Sequence, residues 1–328
     1  MADVLAKNGW ILRDSTKSIG ILASFRNHTL SSNYGDRTYE GAQLSGYGSV
    51  VYQQLIGARG DQMKVGAAFQ YDAYHERFID STFARTERMP GLFAEYTRSR
   101  EKLTIVAGLR ADHNSVFGTA VSPRLHAKYA ISPLTALRLS AGHAFRTALP
   151  FVENAGVLAS SRNIVVEGPL GMERSWNFGI SLLHKWKWLG RKWELGIDAY
   201  RSEFTQQVVA DLDRSPRTMA IYMLHGPSFA NSVLADVQVE LSSTLRAKAS
   251  YRWYDVRATY DGVLRERPFT PRHRGLVDLA YESRNERWRF DIFTNLFGTS
   301  RLPRTAANPK EYRLPERAPA YATLNAQV

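Results

Sequence analysis

Residues 142–179 read GHAFRTALPFVENAGVLASSRNIVVEGPLGMERSWNFG. One alternating segment ends near Arg146 and another begins near Arg174. Between them lie about two dozen irregular residues, rich in Asn, Ser, Gly and Arg, with no helix of useful length. In the flank before the loop, Leu137, Leu139 and Ala141 stand opposite Arg138, Ser140 and Gly142. In the flank after it, Trp176, Phe178, Ile180 and Leu182 form one apolar row. Two strands, each wet on one face and greasy on the other, thus bracket a long polar loop.

The rest of the chain repeats that unit. Towards the N-terminus, Ile19, Ile21, Ala23 and Phe25 share a face, as do Val65, Ala67, Phe69 and Tyr71, and then Leu103, Ile105, Ala107 and Leu109. Towards the C-terminus the alternation is cleanest at 245–254, where Leu245, Ala247, Ala249, Tyr251 and Trp253 oppose Arg246, Lys248, Ser250, Arg252 and Tyr254. About fourteen strands are predicted from residue 17 to residue 328. Long loops are predicted near 31–40, 77–88, 147–173, 207–227, 258–270 and 300–319, and tight turns such as SREK and SRNE fall between them. Long and short connections alternate along the chain, the habit of barrels that stand in an outer membrane. Residues 1–16 read as a lead-in with one early Lys and no apolar h-region, so they are not expected to be a signal peptide.

Composition narrows the field. The chain of 328 residues has no cysteine, which excludes disulfides and cysteine metal clusters. No run approaches the roughly 18 to 20 apolar residues of a membrane helix, but a membrane strand needs only about 9 to 11, every second one free to be polar. An Arg or Lys facing lipid near the midplane costs roughly 2 to 4 kcal/mol, so strands in a bilayer must sort their residues by parity. Trp176, Trp186, Trp188, Trp193, Trp253 and Trp288 sit near strand boundaries, as an aromatic girdle requires. The net charge of +12 is spread over strands, turns and loops, and no basic arm or helix for nucleic acid is expected.

The pieces SPRLHAKYAISPLTALRLSAGHAFRTALP (122–150), LGMERSWNFGISL (170–182), NSVLADVQVEL (231–241) and RPFTPRHRGLVDLAYE (267–282) resemble, in order, the barrel of a TonB-dependent outer-membrane receptor of the form common in the Bacteroidetes. The resemblance runs from about Lys17 to the end. It implies an all-β fold, a transmembrane antiparallel β-barrel with about fourteen strands of a roughly 22-stranded wall, the plug and last strands lying outside this sequence. It implies import of a scarce ligand such as an iron–siderophore chelate, haem or cobalamin, energised through TonB by way of an N-terminal part not present here. Expected partners are outer-membrane lipid and lipopolysaccharide, the TonB complex and a small-molecule chelate. The expected location is the outer membrane, with no export signal in this piece. A passive porin-like channel and a truncated, non-functional receptor remain the alternatives, and a membrane-embedded hydrolase is a third class.

A ligand of such a receptor meets the outward loops and upper lumen. The candidates there are Tyr74, His75 and Arg77; Arg146, Glu153, Asn154 and Arg162; and Asp211, Asp213 and His225. For each, the plain alternative is a solvated loop residue or a lumen salt bridge. Asp211 and Asp213 lack the spaced histidines of a metal site, so no metal and no cofactor are expected. Neither G-x-S-x-G nor H-E-x-x-H occurs, so no catalytic residue and no enzyme activity are expected.

Overall fold

The computed structural model describes residues 1–328. The strands of its N-terminal half are β1 (Ala2–Ile11), β2 (Lys17–Tyr34), β3 (Arg37–Ile56), β4 (Asp61–Phe78), β5 (Ser81–Ser99), β6 (Leu103–Asn114), β7 (Gly118–Ser132) and β8 (Thr135–Thr147). A 3-10 turn, Val152–Asn154, and the single helical turn α1 (Ala155–Leu158) follow. Next come β9 (Asn163–Val166), β10 (Met172–Trp188), β11 (Arg191–Gln206), β12 (Val208–Asp211), β13 (Thr218–Met223), β14 (Ser228–Glu240) and β15 (Leu245–Tyr260). The chain ends with β16 (Val263–Glu266), β17 (His273–Glu282), β18 (Arg289–Phe297), β19 (Ser300–Arg301), β20 (Arg317–Ala318) and β21 (Tyr321–Gln327).

One 16-stranded sheet carries the molecule, in the order β1-β2-β3-β4-β5-β6-β7-β8-β10-β11-β14-β15-β17-β18-β21, with β16 paired to the upper end of β15. Every neighbour along that path is antiparallel. β1 and β21 are its two edges, and the sheet is not closed. A small sheet, β12-β13-β9, sits among the loops, with β9 parallel to β13.

Parity decides what kind of sheet this is. Only 33 of 328 residues are buried, and no second large sheet covers the apolar face. Leu92, Leu109, Leu125, Leu139, Phe178, Ile180, Val277 and Ile292 are all exposed. Register puts such residues on one face: Leu109, for example, is opposite Ala94, and Leu139 is opposite both Ala127 and Ile180. A soluble sandwich would bury that face against a partner sheet. Here it is a continuous apolar wall, which calls for lipid. No helix is long and apolar enough to cross a membrane. The opposite face is polar and internally paired. Glu95 receives Lys64 at 3.3 Å and Arg124 at 2.5 Å, and Asp112 is held by Arg110 at 2.6 Å.

Aromatic pairs mark the edges of the apolar band. On β10, Trp176 lies 5.3 Å from the His143 ring, and ten residues on Trp186 stacks on Trp193 at 5.9 Å. Ten strand residues span about 33 Å. At a tilt of about 40° that is about 25 Å along the membrane normal, the height of an outer-membrane apolar band.

The fourteen strands read from alternation are all present, and three expectations are corrected. Residues 2–11 of the lead-in form β1, in register with β2 from Ala2 opposite Asn27 to Ile11 opposite Ser18. The loops expected at 31–40 and 77–88 are instead the ends of long hairpins: β2 and β3 turn at Gly35, and β4 and β5 turn at Ile79 and Asp80. Much of 258–270 is likewise strand, the β15–β16 hairpin turning at Asp261 and Gly262. The hairpin ends share one cause. Strand that rises above the bilayer no longer faces lipid, so its outward residues need not be apolar and the alternation lapses.

Gly91 illustrates how tightly the polar face packs. A Cβ there would collide with the Asp112 carboxylate, which is buried and tied to Arg110. Gly91→Val is expected to cost about 1 to 3 kcal/mol through overpacking. Gly46→Ala, where nothing lies within 4 Å, is the neutral control. Guanidinium unfolding midpoints in detergent check the difference.

Candidate functional site

The hydrophobic core of the protein lies above the wall. Tyr39 and Phe78, at the tips of the β2–β3 and β4–β5 hairpins, pack with Phe151, Leu158, Ile164, Leu212, Met219 and Ile221 from the loops after β8 and β11. The nearer of those loops starts four strands from β4 and five from β3 in the sheet, so the contact is a chord across the lumen mouth. Polar ties reinforce it. Arg37 donates to the carbonyls of Ser160 (2.5 Å) and Arg162 (3.1 Å) and to Asn163 Oδ1 (3.0 Å). Glu76, buried, accepts from the Tyr39 hydroxyl at 2.9 Å and the Val152 amide at 2.7 Å. The result is a cap stitched to the hairpin tips.

Beside the cap, on the lumen side, lies a vestibule of about 640 Å³. One wall carries Arg146, Glu153, Asn154 and Glu173. The other carries Tyr254, Tyr260, Arg267 and Arg274. Arg146 grips the Glu153 carboxylate with both terminal nitrogens, each at 2.9 Å, and also bridges Glu173. Burial holds the Glu173 carboxyl above its usual range, against the opposing pull of the Val208 amide and Arg146. Arg267 makes no side-chain hydrogen bond or ion pair, and Arg274 lies 5.5 Å over the Phe297 ring. The vestibule therefore offers guanidinium donors and aromatic faces to a planar, electron-rich or anionic solute.

Of the residues singled out from sequence, Arg146, Glu153 and Asn154 meet in this vestibule. Arg162 is instead a clamp, donating to the carbonyls of Leu212 (2.9 Å) and Ser215 (2.8 Å), and burial lowers its pKa. Asp211 is fully buried and accepts from the amides of Asp213 and Arg214 and from the Tyr222 hydroxyl. Asp213 takes Arg301 on both oxygens, at 2.9 and 2.8 Å. Tyr74 lies on the lumen face beneath Arg85, 5.6 Å away. His75 and Arg77 follow the outward parity of Phe69, and Arg77 pairs with Glu40 at 3.3 Å. His225 is exposed. Sequence reasoning missed Tyr254, Tyr260, Arg267 and Arg274. Lumen parity continued upward from Arg246 and Lys248 reaches Tyr254 and Tyr260.

A single antiparallel sheet, apolar outside and paired inside, with girdles about 25 Å apart and a capped mouth, is the wall of an outer-membrane-type β-barrel. A family model, TonB dependent receptor-like beta-barrel, matches residues 7–328. The chain belongs to that family, whose barrels are outer-membrane proteins and which is one of transport receptors rather than enzymes. No curated protein matches the sequence. Among solved structures, the chain is similar to FpvAI in its complex with pyocin S2, with a TM-score of 0.66 and 12% identity over 99% of this chain and 48% of that one. It is similar to the siderophore receptor PirA from Pseudomonas aeruginosa, with a TM-score of 0.59 and 12% identity over 95% and 65%. It is also similar to the unliganded ferric citrate transporter FecA, with a TM-score of 0.62 and 15% identity over 99% and 53%. At these identities the likeness is one of fold. The chain spans about half to two thirds of the length of these receptors.

Proposed function

We propose that this chain is the barrel wall of an outer-membrane importer, energised through TonB, that takes up a scarce metal chelate carrying negative charge. The observation that supports the reading best is the vestibule. Arg146, Arg267 and Arg274 converge with Tyr254 and Tyr260 on one space at the lumen mouth. A general diffusion pore has no use for a stitched cap across its entrance, which disfavours the passive-channel alternative. The similar structures, a siderophore receptor and a ferric citrate transporter, agree with a chelate. The lipid-facing wall meets outer-membrane lipid and lipopolysaccharide, and contact with the TonB complex falls to parts of the receptor beyond this wall.

The test is direct binding. The chain refolded in detergent is titrated with ferric citrate, haem and cyanocobalamin, and tryptophan and tyrosine emission is followed. One of the two negatively charged chelates is expected to bind. Arg267→Ala, which breaks no internal bond, is expected to weaken it about tenfold, roughly 1.4 kcal/mol. Equal affinity in wild type and variant, or binding of cobalamin alone, would overturn the anionic-chelate reading.

A further inference from the structure

A second cavity, of about 550 Å³, lies on the long-loop side of the sheet between the β15–β16 hairpin and residues 301–317. Six arginines line it, Arg257, Arg265, Arg301, Arg304, Arg313 and Arg317, against the carboxylates of Glu266 and Glu316. Some of that charge is used internally. Arg301 and Arg265 share Asp213, Arg257 pairs with Asp255 at 2.8 Å, and Arg317 pairs with Glu266 at 3.0 Å. Much remains. Neither Arg304 nor Arg313 has a carboxylate partner; the only side-chain bond of Arg313 is to the Asn308 carbonyl, at 3.0 Å. The Arg301 Nη2 is buried with no hydrogen-bond partner at all. A buried guanidinium nitrogen left unpaired is costly, and so are like charges brought round one space. The second cost falls if an anion occupies it.

We propose that this cavity is a binding site for a phosphate-bearing polyanion, adjoining the lumen vestibule at Arg257 but otherwise lined by different residues. The geometry selects the class. The arginines come from three segments, the end of β15, β16 and the 301–317 loop, and so approach from several sides. A lone carboxylate is planar and satisfies one guanidinium fork. A phosphate is tetrahedral, carries up to two charges and presents three acceptor oxygens to separate donors. Its source is either a free phosphate or a phosphorylated lipid headgroup, since the long-loop side is the one that faces the outer leaflet and the medium.

Isothermal titration of the full chain in detergent tests the site with three probes: pyrophosphate, micellar dihexanoyl phosphatidic acid, and acetate. Pyrophosphate, phosphatidic acid or both are expected to bind, acetate much more weakly. Tighter pyrophosphate binding identifies a free-phosphate site, and tighter phosphatidic acid binding a headgroup site. The double variant Arg304→Ala, Arg313→Ala is expected to lose at least tenfold in affinity with an unchanged melting point, and Arg304→Lys with Arg313→Lys to recover part of it. Arg284→Ala with Arg287→Ala, at a short turn on the opposite rim, is expected to change nothing. The proposal is overturned if the wild type ignores both phosphates, if acetate binds as well, or if the 304/313 and 284/287 variants lose affinity equally. Phosphate binding needs no chelate, so a chain that binds one and not the other separates this site from the importer reading.

Discussion

Ile180→Arg should cost the folded wall about 2 to 4 kcal/mol in a bilayer, while Ser181→Arg, one residue along, should cost under about 0.5 kcal/mol. The two positions differ only in parity. Ile180 lies four residues from Trp176 and six from Trp186, close to the middle of the apolar band, and its side chain is 46% exposed on the lipid face. A guanidinium there must either sit in hydrocarbon or drag water after it. Ser181 points into the lumen with Asp198 opposite on β11 and Arg138 opposite on β8. A new cation at that point meets one charge of each sign, in water. Guanidinium unfolding of the chain refolded into lipid vesicles, followed by tryptophan emission, gives both numbers. Equal costs at the two positions would mean that the apolar face is not in lipid, and the membrane reading would fail with it.

Parity also decides which elements are legible in the sequence. Within the membrane band, lipid and water enforce alternation, so rows such as Leu245 to Trp253 announce themselves and fourteen of the fifteen long strands are legible; β1 is missed because Asn8 breaks the outward row of Val4, Ala6 and Trp10. Above the band the constraint disappears. The hairpin ends around Tyr34–Arg37 and Phe78–Ser81 have one face on the cap and the other in water instead of lipid, and their Asn, Asp, Arg and Ser content reads as loop. The small sheet β12-β13-β9 was hidden for another reason. It depends on Asn163–Val166 lying parallel to Thr218–Met223, more than fifty residues away, and no local pattern encodes such a pairing. Site residues divide along the same line. Arg146, Glu153 and Asn154 were visible as polar residues in a long loop. Tyr254 and Tyr260 follow from the parity of their strand. Arg274, opposite Arg252, follows from the pairing of β17 with β15, whereas Arg267 needed the fold of the loop before β17.

The cap should depend on Asp211 more than on any other loop side chain, and Asp211→Ala is expected to remove about 3 kcal/mol of its local stability. The carboxylate is wholly buried. One oxygen accepts the Asp213 amide at 2.8 Å and the Arg214 amide at 3.2 Å, and the other accepts the Tyr222 hydroxyl at 2.8 Å. Alanine would leave two backbone donors and a phenol without partners beside Met219 and Ile221, both fully buried. Asp211→Asn keeps the first oxygen and should cost only about 1 kcal/mol. A second readout separates this role from metal binding. Burial and, after it, the bond to Asp211 push the Tyr222 phenol above its ordinary value, and removing the charge should lower it part of the way. Hydrogen exchange across 207–227 should therefore quicken in the alanine variant, and the phenol should titrate at lower pH in both variants. Unchanged exchange, or protection that instead follows added divalent metal, would show that Asp211 is not the support of the cap. Because Leu212 and Met219 belong both to the cap and to the vestibule wall, the alanine variant should also lose chelate affinity without any vestibule arginine having been touched.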